Sequence, residues 1–207
     1  MFSRIDTISY YLPKIKNLSG KNKKRFKKIY SKTGIMNTRV SRKNEDVIDL
    51  AFSACRKIKK KIKNVDGIIF VTQTPRYLLP SCSCILQEKL KLRNDIFTID
   101  LNMGCSGYIY GLSVANSLIQ SKILKKVLLV CADTYSKYIE ENNSNKYLFS
   151  DAASATLMVT SKSNNFGKFL FNSDGSNFDK IIIRKDKTNK LSFQMDGSKS
   201  LHFYTHR

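Results

Sequence analysis

Two short, nearly unbroken apolar runs constrain this 207-residue chain more than any other feature. Gly67 to Thr72 reads GIIFVT and Lys126 to Ala132 reads KVLLVCA. Neither shows the polar alternation of a strand with one wet face, so both are expected to be strands buried on both sides. Ile96 to Leu101 (IFTIDL) is a third strand of similar length. Helical signals fill the gaps. Pro80-Ser81 opens a helix through about Leu90, and a second runs from about Cys105 to Gln120 after the turn Asn102-Met103-Gly104. Upstream, Val47, Ala51, Ala54, Ile58 and Ile62 form one apolar stripe, which predicts a helix over Glu45 to Lys63 with Asn44 as its N-cap. Ile5 to Tyr11 reads as an opening strand, and Gly20 to Ser31 as a short basic helix with Phe26, Ile29 and Tyr30 on its docked face. Ala153 to Thr160, Lys168 to Asn172 and Asp179 to Arg184 read as later strands. Strands alternating with helices make an α/β pattern.

Charge and cysteines narrow the class. Lys and Arg total 37 against 16 Asp and Glu, a formal net charge of +21. That charge invites an acidic partner, although Lys is spread along the whole chain and clusters chiefly at Lys21 to Lys28. The marks of a nucleic-acid-binding module, such as zinc ligands or an aromatic RNA-binding strand, are not found, so nucleic acid is the weaker reading. The five cysteines, Cys55, Cys82, Cys84, Cys105 and Cys131, contain no CxxC pair. With no secretory signal visible at the N-terminus, this predicts a reduced, cytoplasmic protein without a structural metal. No run approaches the ~18 continuous apolar residues of a spanning helix.

The chemistry-bearing junction is Asp100 to Gly111, DLNMGCSGYIYG. A strand ends, the chain turns tightly, and Cys105 stands where the next helix begins. The N–H groups and partial positive charge of a helix N-terminus favour a thiolate and can hold an oxyanion. Gly104, Gly107 and Gly111 keep one side of the turn and helix small. Cys55, Cys82, Cys84 and Cys131 read as packing residues.

A series of ordered blocks extends this junction along the chain. They are Tyr11-Leu12-Pro13, Thr33-Gly34-Ile35 with Arg39, Thr72-Gln73-Thr74-Pro75, Leu79-Pro80-Ser81, Asp100 and Gly104-Cys105-Ser106-Gly107. Val127 to Val130 with Asp133, Phe149-Ser150-Asp151-Ala152, Ser173 to Ser176 and Met195-Asp196-Gly197 complete the series. In order and spacing the chain resembles the β-ketoacyl-acyl-carrier-protein synthase III family of thiolase-like condensing enzymes.

The resemblance implies a thiolase-like α/β fold, with residues 1–172 forming the complete N-terminal half and 173–207 the truncated start of the C-terminal half. It implies a homodimer. It makes Cys105 the acyl-accepting nucleophile of a decarboxylative Claisen condensation with malonyl-carrier protein in fatty-acid or related acyl biosynthesis. Acyl and malonyl thioesters would be substrates, an acidic acyl carrier protein the partner, and no metal or cofactor would be needed. Lys32, Arg39, Leu79 and Phe149 fall at substrate-binding positions, Leu79 where the family gates its acyl pocket across the dimer.

Several positions depart from the family. Its coenzyme A contacts include a Trp and Arg residues, whereas Lys28, Lys32 and Asn143 stand at the matching places, and Lys lacks the flat bidentate fork of Arg. Ser150 replaces a usual Gly, a costly exchange if that position needs positive φ. The family His and Asn that assist decarboxylation have no counterpart at their motifs, and His202 and His206 are expected to be surface residues. The 207 residues alone are therefore expected to accept an acyl group without completing condensation. A non-catalytic remnant of the family is the alternative.

Overall fold

The computed structural model describes residues 1–17, 23–141 and 143–195. Along the chain come β1 (Phe2–Tyr11), β2 (Ile15–Asn17), α1 (Lys23–Thr33), β3 (Asn37–Arg39), α2 (Val47–Arg56) and α3 (Lys59–Ile62). Then follow β4 (Gly67–Val71), α4 (Cys82–Leu90), β5 (Phe97–Leu101), α5 (Gly107–Gln120) and β6 (Lys126–Asp133). Two 3-10 turns (Tyr135–Lys137 and Ser144–Tyr147), β7 (Ala152–Ser161), β8 (Ile181–Lys185) and β9 (Leu191–Met195) complete the order. The chain forms two compact units. The first comprises Met1–Pro13, Ser41–Asp133 and Asp151–Phe169, and the second Lys14–Val40, Thr134–Ser150 and Leu170–Arg207.

The first unit is a five-stranded sheet of order β1-β7-β6-β4-β5. Strand β4 pairs in parallel with β5 and β6, while β7 runs antiparallel to β6 and β1. Every residue of β4 is buried, as its continuous apolar sequence predicts. Its side chains alternate between two cores. Ile68 and Phe70 join Val47, Leu50, Ala54 and Leu86 from α2 and α4 on one face. Ile69 and Val71 join Leu112, Ala115 and Ile119 of α5 on the other.

Helix α5 leaves β5, crosses β4 and delivers the chain to β6. Its glycines allow the close approach. A Cβ on Gly107 would lie 2.4 Å from Val71 Cγ1 of β4, and one on Gly111 2.5 Å from Leu129 Cδ1 of β6.

The second unit holds the β2–β3 and β8–β9 ribbons, α1 and the two 3-10 turns. Phe149, Tyr135 and Phe193 form a ring cluster there, with centroids 4.9 Å apart for Phe149–Phe193 and 5.5 Å for Tyr135–Phe149.

Local details correct the sequence expectations. The helix predicted over Glu45 to Lys63 breaks, because Lys57 and Ile58 bond back three residues to Ala54 and Cys55. The run of Lys beyond this break places like charges four apart, which disfavours a continuous helix. Its N-cap is Asp46 rather than Asn44. Asp46 Oδ1 accepts from the N–H groups of Ile48 and Asp49, and Asp49 Oδ2 accepts from Asp46 N–H. The strand expected at Lys168 to Asn172 is irregular, and Leu191–Met195 is a strand through pairing with β8.

Candidate active site

The parallel strands β4, β5 and β6 end together, and the loops after them build the site. This is the edge at which parallel α/β sheets bind ligands. Cys105 lies in the turn after β5 and is exposed. The helix begins two residues later than expected, at Gly107, with Ser106 as N-cap. Gly107 N–H donates to Gly104 carbonyl oxygen at 2.8 Å, closing the turn that holds Cys105 ahead of the helix. That first-turn N–H is thereby committed to the turn.

Asp100, on β5, faces the helix of the preceding crossover. Its Oδ2 accepts from Cys82 N–H at 2.6 Å and its Oδ1 from Ser83 N–H at 2.8 Å. It satisfies the first-turn donors of α4 and so acts as a remote cap.

The other cysteines separate by environment. Burial pushes the thiols of Cys55 and Cys131 up to about 12 and that of Cys82 up to about 11. Such thiols are poor nucleophiles near neutral pH. Cys84 is exposed on α4, which corrects its expected packing role: on a helix, residues two apart diverge, so Cys82 turns in and Cys84 out.

Leu79 belongs to the first unit and is 86% exposed in the loop before α4, beside Leu78, which is fully exposed. Lys32, Arg39 and Phe149 belong to the second unit. Lys32 is exposed in the last turn of α1, and Phe149 is half-buried in the ring cluster. Arg39 N–H donates to Ser150 Oγ at 3.0 Å. The non-glycine residues with positive φ among those described are Lys91, Lys122 and Asn189, so Ser150 carries no left-handed strain. Asn143 caps the second 3-10 turn through Oδ1, which accepts from Asn145 N–H at 2.9 Å, and its Nδ2 donates to Phe193 oxygen at 3.3 Å. Its position where the family has Arg is therefore used structurally. In the same unit, Phe149, Ile139 and Val40 border a cavity of about 70 Å³, room for a few waters or a small ligand group. Thr38, also on its lining, has a buried hydroxyl with no hydrogen-bond partner among the described residues.

Sequence reasoning missed the environment of Asp133. Its Oδ1 accepts from Thr72 Oγ1, Gln73 N–H, Thr74 N–H and Thr74 Oγ1 at 2.8 to 3.0 Å. Burial raises its carboxyl above the usual range, with these hydrogen bonds opposing. The only sequence signal was a block containing Asp133 and another containing Thr72 to Thr74, with nothing to join them. His202 and His206 lie outside the described residues, as do Lys21 of the basic cluster and Asp196-Gly197 of the last block. Among the described residues no helix is long and apolar enough to cross a membrane, and no group of three or more His, Cys, Asp or Glu is placed to hold a metal ion.

An α/β sheet covered on both faces, with an exposed cysteine in the turn before its crossing helix, is the arrangement of a thiolase-like chain. Comparison with solved structures carries this further. A crystal structure of a 3-oxoacyl-(acyl-carrier-protein) synthase III matches with a TM-score of 0.87 at 30% identity, over 98% of this chain and 70% of that one. The synthase III of Pseudomonas aeruginosa PAO1 matches at 0.86 and 25% identity, over 98% and 66%. Residues 99–175 match the family model for 3-oxoacyl-[acyl-carrier-protein (ACP)] synthase III. A Campylobacter jejuni putative 3-oxoacyl-[acyl-carrier-protein] synthase 3 is 40% identical over 150 residues, 70% of this chain and 41% of that protein. A Fusobacterium nucleatum β-ketoacyl-[acyl-carrier-protein] synthase III is 39% identical over 135 residues, 63% and 41% of the two chains. The chain belongs to the β-ketoacyl-acyl-carrier-protein synthase III family, and the matched stretch spans 41% of the length of each of these two curated relatives.

Proposed function

We propose that the chain acts as an acyltransferase of the synthase III type, with Cys105 as the acyl acceptor. The carrying observation is the exposed Cys105 in a hydrogen-bonded turn at the C-terminal edge of three parallel strands. The thiolate attacks the carbonyl carbon of an acyl thioester. A tetrahedral oxyanion forms, the carrier thiolate leaves and takes up a proton, and an acyl-Cys105 thioester remains. In the full reaction malonyl-carrier protein loses carbon dioxide and its carbanion displaces Cys105, forming a β-ketoacyl thioester in fatty-acid or related acyl biosynthesis.

Lys32, Arg39, Leu79 and Phe149 are assigned as substrate contacts on the family resemblance. Lys32 and Asn143 lack the bidentate face that suits coenzyme A phosphates, which favours a donor carried on protein. The partner is an acidic acyl carrier protein, drawn by the +21 charge. A second copy of the chain is placed against edge strand β5 and the exposed Tyr77, Leu78 and Leu79. Five free cysteines suit the cytoplasm. The family halves are set at 1–172 and 173–207.

Incubation with acyl-carrier protein or acyl-coenzyme A, followed by intact-mass measurement, tests this. An adduct of one acyl group is expected, larger with the carrier donor and lost in Cys105→Ala. No adduct from either donor, or one that survives Cys105→Ala, would overturn the reading.

A further inference from the structure

We infer that Asp133 and Gln73 are positioning residues that hold the Cys105 turn in place from two neighbouring strands. The inference rests on the reading of Cys105 as the nucleophile, but its geometry is independent of any substrate.

The chain of contacts starts on β6. Asp133 is the last residue of that strand, and a single carboxylate oxygen collects four donors from the loop after β4. Two of them are the consecutive backbone N–H groups of Gln73 and Thr74, at 2.8 and 3.0 Å. Thr74 N–H is also shared with Thr72 Oγ1 at 3.1 Å. Loop residues 72–74 are thus fastened through backbone and side chains alike. Asp133 is held there although burial disfavours its charge.

The second link runs from β4 to the turn after β5. The fastened loop presents Gln73 at the surface, and its carboxamide lies over Gly104, the residue before Cys105. A Cβ on Gly104 would stand 2.7 Å from Gln73 Oε1 and 3.3 Å from Gln73 Cδ. The Gln73 carboxamide therefore packs against Gly104, the first residue of the Gly104-Cys105-Ser106 turn. Gln73 is exposed and lies outside both apolar cores, so its contact with this turn is a surface one. The set of a turn decides where a thiolate sits relative to the helix behind it, and reactivity follows that placement.

The experiment uses Cys84, also exposed, as an internal control. Iodoacetamide labelling of both cysteines is followed by peptide mass spectrometry across pH 6 to 9 in Gln73→Ala, Gln73→Met and Asp133→Asn, with thermal midpoints measured in parallel. In Gln73→Ala the Cys105 rate near pH 7 is expected to fall roughly threefold to tenfold. The Cys84 rate and the thermal midpoint should hold. Gln73→Met fills the same space and should restore the Cys105 rate to within about twofold. Asp133→Asn, which keeps an acceptor but loses its charge, should fall between. An unchanged Cys105 to Cys84 ratio in Gln73→Ala would overturn the inference. So would both rates moving together with a lowered midpoint, which marks general loosening. Failure of the functional reading looks different: wild-type Cys105 labels normally yet takes no acyl group.

Discussion

Asp151 and Ser41 are joined through one carboxylate oxygen: Asp151 Oδ2 accepts both the backbone N–H of Ser41, at 2.8 Å, and its hydroxyl, at 2.7 Å. Ser41 opens the second chain segment of the first unit and Asp151 opens the third. The pair therefore fastens both points at which the chain re-enters that unit. Asp151 is fully buried and Ser41 nearly so. Asp151→Ala, which strands two donors, is expected to cost about 2–3 kcal/mol, and Ser41→Ala, which loses one bond, about 1 kcal/mol. Urea unfolding of the two variants checks this, and equal small losses would show that the buckle carries no special weight.

The glycines of the crossing helix should rank by what a methyl group meets. Gly107→Ala and Gly111→Ala push into Val71 and Leu129, which are locked in the core, and are expected to cost about 1–3 kcal/mol each. Gly104→Ala meets the end of the flexible Gln73 side chain, which can swing away. Its thermal midpoint should stay nearer wild type while Cys105 labelling slows. A midpoint for Gly104→Ala below both others would contradict this ranking.

Asp133 makes a pH prediction. Burial raises its carboxyl in the folded state, while a free Asp titrates near 3.9. Between those two values the folded chain binds more protons than the unfolded one, so this group's contribution falls as pH rises. Wild type should therefore lose stability relative to Asp133→Asn from about pH 4 upward through the raised value, then level off. Paired denaturation curves across that range measure it, and a difference that grows in favour of wild type would show that the four donors outweigh burial.

Native alkylation should sort the cysteines. Cys84 and Cys105 are exposed, whereas Cys55, Cys82 and Cys131 have thiols raised to about 12, 11 and 12 by burial. Two labels are expected on the folded chain near pH 8 and five after denaturation. Early labelling of Cys131, which is only half-covered on β6, would show that the sheet opens between its inner strands.

The exposed apolar loop before α4 tests the proposed self-association. Leu78 and Leu79 are 101% and 86% exposed. Leu78→Glu with Leu79→Glu should convert a dimer to a monomer in sedimentation equilibrium and remove any dependence of the thermal midpoint on protein concentration. A wild-type chain that sediments as a monomer at every concentration would rule the dimer out.

Much of the first unit could be read directly. GIIFVT and KVLLVCA became β4 and β6 because strands covered on both faces must be apolar throughout, a property that needs no partner to be visible. The helix opened by Pro80-Ser81 followed from local chemistry in the same way, and the structure makes Ser81 its N-cap. Pairing was not readable. KFLFN at 168–172 has strand-like residues but finds no ladder, while LSFQM at 191–195 is a strand because Ile181–Lys185 lies beside it. Strand β1 begins at Phe2 rather than Ile5 because β7 supplies partners as far as Ser161.

The candidate site divides along the same line. The amino-acid sequence by itself determined the cysteine, the glycines around it and the strand-to-helix junction that exposes it, since all three are properties of neighbours along the chain. The tertiary structure alone decided which backbone groups Asp133 and Asp151 would hold. Their partners lie about 60 and 110 residues away, and a buried carboxylate takes whichever donors the packed strands bring within 3 Å.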